Sequence, residues 1–173
     1  DDFAKQVGDF ESLEALKTFL RESIAHDKQH HAENEAKDKL LEELVAKHDF
    51  PVPEALVEHQ IDLRLDRGLR ALAAQGMRTE DLKKLDMGRL RAAQRDNALK
   101  EVRATLLLDR IAKLENIEVS EEEVTKELEV LAKQSNQGLD DLRARLTRDL
   151  SLDKIRDRIR ESKTLDFLYR QSA

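Results

Sequence analysis

The feature that most constrains the fold is the stretch from Ser12 to Lys47, which contains neither glycine nor proline. Ser12 is a candidate N-cap, and Glu14 in the first turn suits the helix dipole. As one helix, about 35 residues would extend about 50 Å, whereas a compact chain of this length has a radius of gyration of only about 16 Å. The stretch therefore predicts an elongated molecule, unless the helix breaks near His30 and His31.

The apolar residues of this predicted helix are concentrated at its two ends. One stripe consists of Leu13, Leu16, Leu20 and Ile24, and the other of Leu40, Leu41, Leu44 and Val45. Between His26 and Lys39 the only apolar residues are Ala32 and Ala36. We therefore expect two packed ends joined by a solvated middle.

Two later stretches share one pattern, in which a helix end, a short apolar turn and a helix start follow one another. They are residues 40–61 and residues 107–128. In the first, Pro53 suits the first helical position; in the second, Ser120 and Glu123 form a capping box. The corresponding apolar positions are Val52 with Val119, Val57 with Val124, and Ile61 with Leu128. The pattern predicts two similar helical elbows, each turning the chain back.

The remaining segments complete an all-α architecture with no significant sheet. A helix from Pro53 to about Gln75, a stop at Gly76 and a helix over Met87–Leu114 predict a hairpin whose tip lies near residues 75–87. Shorter helices after Glu123 predict a second hairpin-like element. We divide a single domain, residues 1–173, into a tether (1–11), a linker helix with the first elbow (12–52), a first arm (53–117) and a second arm (118–173).

Composition excludes several classes of function. Charged residues make up 39% of the chain and aromatic residues 3%, which is typical of long helices. The net charge of −6 disfavours nucleic-acid binding, and the lack of cysteine fits a reducing compartment. No apolar run is long enough to cross a membrane, and no signal peptide is visible. Because the chain begins at Asp1, we treat it as a fragment or processed product.

The sequence predicts no catalytic residue, no cofactor and no metal site. The chain has no cysteine nucleophile, Gly-rich phosphate loop or His-Glu-x-x-His motif. The histidines His26, His30 and His31 are interpreted as part of a solvated helix face rather than a metal site. The acidic run 121–123 is explained by helix capping. The alternation of basic and acidic residues over 143–160 favours surface ion pairs over an anion or RNA site.

Four stretches, which together extend over most of the chain, resemble the C-terminal domain of bacterial trigger factor. They are DDFAKQVGDFESLEALKTFLRESI, LLEELVAKHDFPVPEALVEHQIDLRL, LRALAAQGM and RLRAAQRDNALKEVRATLLLDRIAKLENIEVSEEEV. The resemblance implies an elongated helical body whose two arms cradle unfolded chains. The family's ribosome-docking motif, Gly-Phe-Arg-x-Gly-Lys, does not occur in this sequence, nor does its aromatic-lined isomerase domain.

The function that this resemblance implies is an ATP-independent holdase in the cytoplasm. Its partners would be unfolded or nascent polypeptides, with the ribosome contacted only through other domains, no direct nucleic-acid or membrane partner, and weak self-association. The segment itself would not be an enzyme, whereas its parent would be a peptidyl-prolyl isomerase. The alternative from another class is a helical scaffold or adaptor that holds one folded partner.

Client binding would depend on apolar residues that an elongated helical chain leaves uncovered. The candidates on the first arm are Leu65, Leu69, Leu72, Met77, Leu82, Leu85, Met87 and Leu90, and those on the second arm are Leu142, Leu146, Ile155, Ile159 and Phe167. Residues near the elbows are expected to form core, whereas Met77 and Met87 suit an adaptable surface at the tip. The competing interpretation is that the tip residues only cap the hairpin or pack on another domain.

The elongated shape can be tested by circular dichroism with small-angle X-ray scattering. We expect a predominantly helical spectrum and a radius of gyration clearly above the roughly 16 Å of a compact chain, because the helix over residues 12–47 cannot fit inside such a globule. A value near 16 Å, or substantial sheet, would contradict the prediction.

Overall fold

The computed structural model describes residues 8, 10–82, 84–149 and 151–172, and helices are the only regular secondary structure among them. This confirms the predicted all-α class. The helices are α1 (Leu13–Lys47), α2 (Glu54–Ala74), α3 (Thr79–Leu82), α4 (Met87–Leu114), α5 (Glu121–Ser135), α6 (Leu139–Arg148) and α7 (Leu152–Ser172). Within the described residues, no helix has both the length and the apolar character of a membrane span. The predicted tether over residues 1–11 lies largely outside the described residues.

The chain divides into two compact units, Asp1–Leu40 and Leu41–Ala173. The assignment of residues 1–173 to a single domain therefore stays a prediction. Helix α1 is continuous over 35 residues, so the alternative of a break near His30 and His31 is excluded. Its start is capped as predicted, because the hydroxyl of Ser12 accepts a hydrogen bond from the backbone N–H of Ala15 at 3.2 Å.

The first unit buries less of the α1 stripe than the sequence pattern predicts. Leu16 is buried, and the ring centroids of Phe10 and Phe19 lie 5.2 Å apart. In contrast, Leu20 and Ile24 are exposed. The expectation of a fully packed end is therefore wrong for these two residues and for Leu13, which is exposed as well. The physical reason is that the described part of this unit contains one helix, and a lone helix has no second surface on which to bury a face.

In the second unit, α2 and α4 form the first arm by packing side by side in opposite directions. The buried core of this arm consists of Val57, Ile61, Leu65 and Ala98, with Val52, Leu90 and Leu99 packed against it. Three of the four buried residues lie four apart on α2, which is the spacing of one helix face. The core is therefore a narrow apolar seam along the hairpin.

Ion pairs cover one side of this seam, and they form a ladder of α2 carboxylates with α4 arginines. Arg95 pairs with Glu54 and Arg91 pairs with Asp62, while Glu58 contacts both arginines. The hydrogen bonds from Arg95 hold the pKa of Glu54 below its ordinary value. The ladder therefore keeps the acidic face of α2 against the basic face of α4.

The opposite side of the seam carries a different polar cluster. Arg64 donates to Gln94 at 2.7 Å and also pairs with Glu101, and Gln60 donates to Glu101 at 2.6 Å. Polar contacts thus flank the apolar seam on both sides. This arrangement holds together two helices that have few apolar residues to bury.

Helices α5, α6 and α7 form the second arm around another core. Its buried residues are Val124, Leu128, Ala132 and Leu142, and those packed against them are Val119, Leu131, Leu139, Leu146, Leu152, Ile155 and Ile159. The first turn of α5 binds the other helices of this arm electrostatically. Glu121 pairs with Arg143 of α6 and with Arg156 of α7.

The predicted capping box at the start of α5 is confirmed, and it also contacts α7. Ser120 and Glu123 cap each other's backbone N–H groups, and Lys163 of α7 approaches the Glu123 carboxylate at 2.7 Å. Lys163 and the backbone N–H of Ser120 hold the pKa of Glu123 below its ordinary value. The stability from this contact is present above the ordinary carboxyl pKa and is lost as the pH falls through the lowered value.

The two predicted elbows occupy equivalent places in the two arms. Val52, Val57 and Ile61 all belong to the first core, and their counterparts Val119, Val124 and Leu128 all belong to the second. The correspondence continues one turn further, because Leu65 and Ala132 lie at the next matching position and are both buried. Each elbow therefore places its turn valine on the same core as the helix that follows.

The prediction that Pro53 occupies the first helical position of α2 is wrong. Pro53 occupies the N-cap of α2, and the helix itself begins at Glu54. The proline has φ −58° and ψ 126°, so its ψ lies outside the helical range although its φ is compatible with a helix. Proline at either position leaves no hydrogen bond of the helix unmade.

We predict that the equivalent positions Ile61 and Leu128 are equally important for stability. Both are fully buried, so cutting either to alanine is expected to cost about 2–5 kcal/mol in free energy of unfolding. Matched controls lie two residues further along each helix, where Leu63 and Val130 are exposed. Alanine at these control positions is expected to change stability by less than about 0.5 kcal/mol. Urea denaturation of the four variants measures this, and similar losses at buried and exposed positions would disprove the assigned cores.

Candidate functional site

The tip of the first arm, residues 75–87, lies between the end of α2 and the start of α4. Helix α2 ends where Gly76 adopts φ +91°, a conformation that side-chain-bearing residues rarely adopt. The next backbone N–H, that of Met77, then donates to the carbonyl of Leu72 at 3.1 Å. The predicted stop at Gly76 is thus confirmed. The end of α2 at this glycine places Met77 immediately outside the helix.

The other end of the tip is fixed by a cap that the sequence analysis did not identify. The carboxylate of Asp86 accepts a hydrogen bond from the backbone N–H of Arg89 at 3.0 Å, so α4 begins at Met87. Between the two ends lies the short helix α3, where Asp81 pairs with Arg78 at 3.2 Å and with Lys84 at 3.1 Å. The tip therefore combines two methionines with a charged rim.

The predicted client-binding residues of the first arm fall into three groups by exposure. Met77 and Met87 are 38% and 40% exposed. The half-buried residues are Leu69, Leu72, Leu82, Leu85 and Leu90, of which Leu90 packs on the first core. Leu65 is only 9% exposed and belongs to that core. The two methionines are thus the candidates of this arm with the most accessible apolar surface.

The candidates of the second arm are mostly part of its core. Leu142 is 4% exposed, and Leu146, Ile155 and Ile159 pack against the same buried cluster. Phe167 is half-buried, on the last turns of α7, and lies outside that cluster. Leu65 and Leu142 therefore stabilise the arms, and their burial leaves little surface for a partner.

Several exposed apolar residues were missed by the sequence analysis. Leu56 and Leu63 lie seven residues apart on α2 and are exposed. Their positions on the helix could have identified them. Leu56 and Leu63 lie off the face formed by Val57, Ile61 and Leu65, so the core that buries this face leaves them uncovered. Further exposed apolar residues are Phe19 on α1, Leu114 at the end of α4 and Val130 on α5.

The histidines of α1 all lie on the surface. The ring centroids of His26 and His30 lie 5.2 Å apart, with the rings tilted relative to each other. The Nε2 atom of His31 lies 3.4 Å from the carboxylate of Glu35. No group of three or more histidine, aspartate and glutamate side chains that could hold a metal ion is found among the described residues. The absence of a functional metal site stays a prediction, which is tested below.

The geometry defines a class of protein: an all-α body built from helical arms, with an exposed apolar tip and a charged rim. Residues 12–170 match the sequence model of the family described as bacterial trigger factor protein C-terminus. Trigger factor from Koribacter versatilis is 55% identical over 172 residues, covering 99% of this chain and 39% of the relative. Trigger factor from Solibacter usitatus is 38% identical over the same length, covering 99% of this chain and 40% of the relative.

These matches show that the chain belongs to the trigger factor family and corresponds to the C-terminal part of its members. The chain spans about two fifths of the length of the curated relatives that it matches. A solved structure of trigger factor domains from Thermotoga maritima superposes with a TM-score of 0.61 over 94% of this chain and 96% of that one. At 20% identity, this likeness shows a shared fold.

For the histidines of α1, we predict that replacing His26, His30 and His31 together by glutamine leaves stability and partner binding nearly unchanged. The physical reason is that all three side chains are exposed and belong to no group of three or more possible ligands among the described residues, whereas a zinc site uses three or four protein ligands. Thermal unfolding and zinc titration of the two proteins check this. Stoichiometric zinc binding by the parent that is lost in the triple variant would contradict the prediction.

Proposed function

We propose that this chain is the client-binding body of an ATP-independent chaperone, which holds exposed apolar segments of unfolded or nascent polypeptides and so slows their aggregation. The observation that carries the proposal is the pair of exposed methionines at the end of an ion-paired hairpin, in a member of the trigger factor family. Methionine has a flexible, polarisable side chain that adapts to partners of different shape.

The binding energy in this proposal comes from removing apolar surface from water, at roughly 25 cal/mol per Å². Ordering a flexible client costs entropy, which keeps the binding weak and reversible. The ion pairs of Asp81 with Arg78 and Lys84 surround the tip with charge. This charge helps to keep the apolar tip in solution when no client is bound.

We further propose that the full-length protein works in the bacterial cytoplasm, and that its ribosome contact and its peptidyl-prolyl isomerase activity belong to regions outside this chain. What supports this is that the chain matches only about two fifths of its relatives and contains no Gly-Phe-Arg-x-Gly-Lys motif. The segment itself acts without catalysis in this proposal. The proposed client surface centres on Met77 and Met87, with Leu82 and Leu85 beside them.

The test of the client surface compares two double variants, in each of which two exposed apolar residues are changed to serine. Changing Met77 and Met87 to serine removes the exposed apolar groups of the tip, whereas changing Leu56 and Leu63 to serine removes exposed apolar groups elsewhere on the same hairpin. We expect the tip variant to bind clients more weakly, by about fivefold for each methionine whose burial contributes about 1 kcal/mol. The control is expected to bind as the parent does.

Suppression of aggregation of several unrelated unfolded proteins, with urea denaturation of the variants themselves, provides the measurement. Adding serine at Leu82 and Leu85 should weaken the activity further, since binding is distributed over many weak contacts. A folded quadruple variant that protects as well as the parent would refute the tip as the client surface. Binding to one folded protein alone, with no effect on unfolded ones, would favour an adaptor instead.

A further inference from the structure

Helices α4 and α7 pack against each other, and this contact is the joint between the first arm and the second. A groove of about 310 Å³ lies at the contact. It is lined by Thr105, Leu106, Leu108, Asp109, Asp157, Arg160 and Glu161. Two of these residues are leucines and three are carboxylates, which is an unusual composition for a contact between two packed helices.

Glu161 is the carboxylate of this joint that lacks a cation of its own. The guanidinium of Arg160 lies 2.5 Å from Asp157 and 3.7 Å from Asp109, so it is shared by the two aspartates. Lys113 also approaches Asp109, at 2.6 Å. In the part of the chain that the structure describes, no lysine or arginine forms an ion pair with Glu161.

The surroundings of Glu161 favour its neutral form. Burial between the helices raises the pKa of its carboxyl, a hydrogen bond with the Thr105 side chain opposes this, and the nearby charges of Asp157 and Asp109 raise it further, against the attraction of Arg160. A raised pKa in the folded state means that the protonated form stabilises the fold. This stabilisation is present at low pH and is lost as the pH rises through the raised value.

We propose that Glu161 is a charge-controlled weak point of the joint between the two arms. At neutral pH its charged carboxylate, half-buried and without a cation, favours opening of the α4–α7 contact. Protonation, or a neutral side chain of the same shape, closes the contact. The consequence for clients rests on the proposed function: a joint that opens readily lets the two arms adjust to clients of different size.

Hydrogen exchange of the backbone amides tests the joint directly and requires no client. In the variant Glu161→Gln, we expect the α7 amides and those of the facing part of α4 to exchange roughly three- to tenfold more slowly than in the parent at neutral pH. As the pH is lowered toward the raised pKa of Glu161, the parent should approach the variant, because Glu161 takes up its proton. The matched control is Glu129→Gln, which neutralises an exposed carboxylate on α5.

Two results would overturn the inference. One is a Glu161→Gln variant whose joint exchanges as fast as the parent's, or faster, at neutral pH. The other is a slowing that stays the same size as the pH is lowered through the raised pKa of Glu161, since this would show that the charge is not its cause. Neither result depends on the aggregation assay, so a failure of the weak-point inference is distinguishable from a failure of the proposed function.

Discussion

The structure of the first arm depends on how little apolar surface its helices have to bury. A seam of Val57, Ile61, Leu65 and Ala98 is narrow for a hairpin of this length. Beside the seam, α2 and α4 contact each other through carboxylates and guanidinium groups, which lie on both of its sides. Individually, such partly exposed pairs contribute little to stability. Their combined effect is to favour one face-to-face arrangement of two highly charged helices.

The second arm meets the same constraint in a different way. Its core includes residues from three helices, and its ion pairs converge on the first turn of α5. Glu121 and Glu123 serve there both as helix-dipole partners and as contacts to α6 and α7. One turn of helix thus connects the elbow to the whole arm, through two of the three consecutive glutamates that begin α5.

Much of this fold could be predicted from local sequence signals. The bounds of α1 and α4, the stop at Gly76, the capping box at Ser120 and the equivalence of the two elbows all follow from capping chemistry and helical spacing. These signals act within about one turn, so they can be read from a single segment.

The parts that could not be predicted depend on contacts between distant segments. The sequence alone does not show that Glu161 faces Thr105 across the joint, because these residues belong to different helices. The exposure of Leu20 and Ile24 was missed for the same reason: a stripe shows which face of a helix is apolar but not whether another surface covers it. For the candidate site, exposure separated Met77 from Leu65, although both are apolar residues of one hairpin.

The ladder of the first arm has one further consequence, which concerns its register. The carboxylates of α2 recur every four residues at Glu54, Glu58, Asp62 and Asp66, and the arginines of α4 recur likewise at Arg91 and Arg95. If α2 slid by four residues, about 6 Å, the arginines would meet the next carboxylates and the same ion pairs would form one repeat further along. The ladder by itself is therefore compatible with two alignments. The single alignment that the hairpin adopts is selected by the side of the seam that does not repeat, where Arg64 contacts both Gln94 and Glu101.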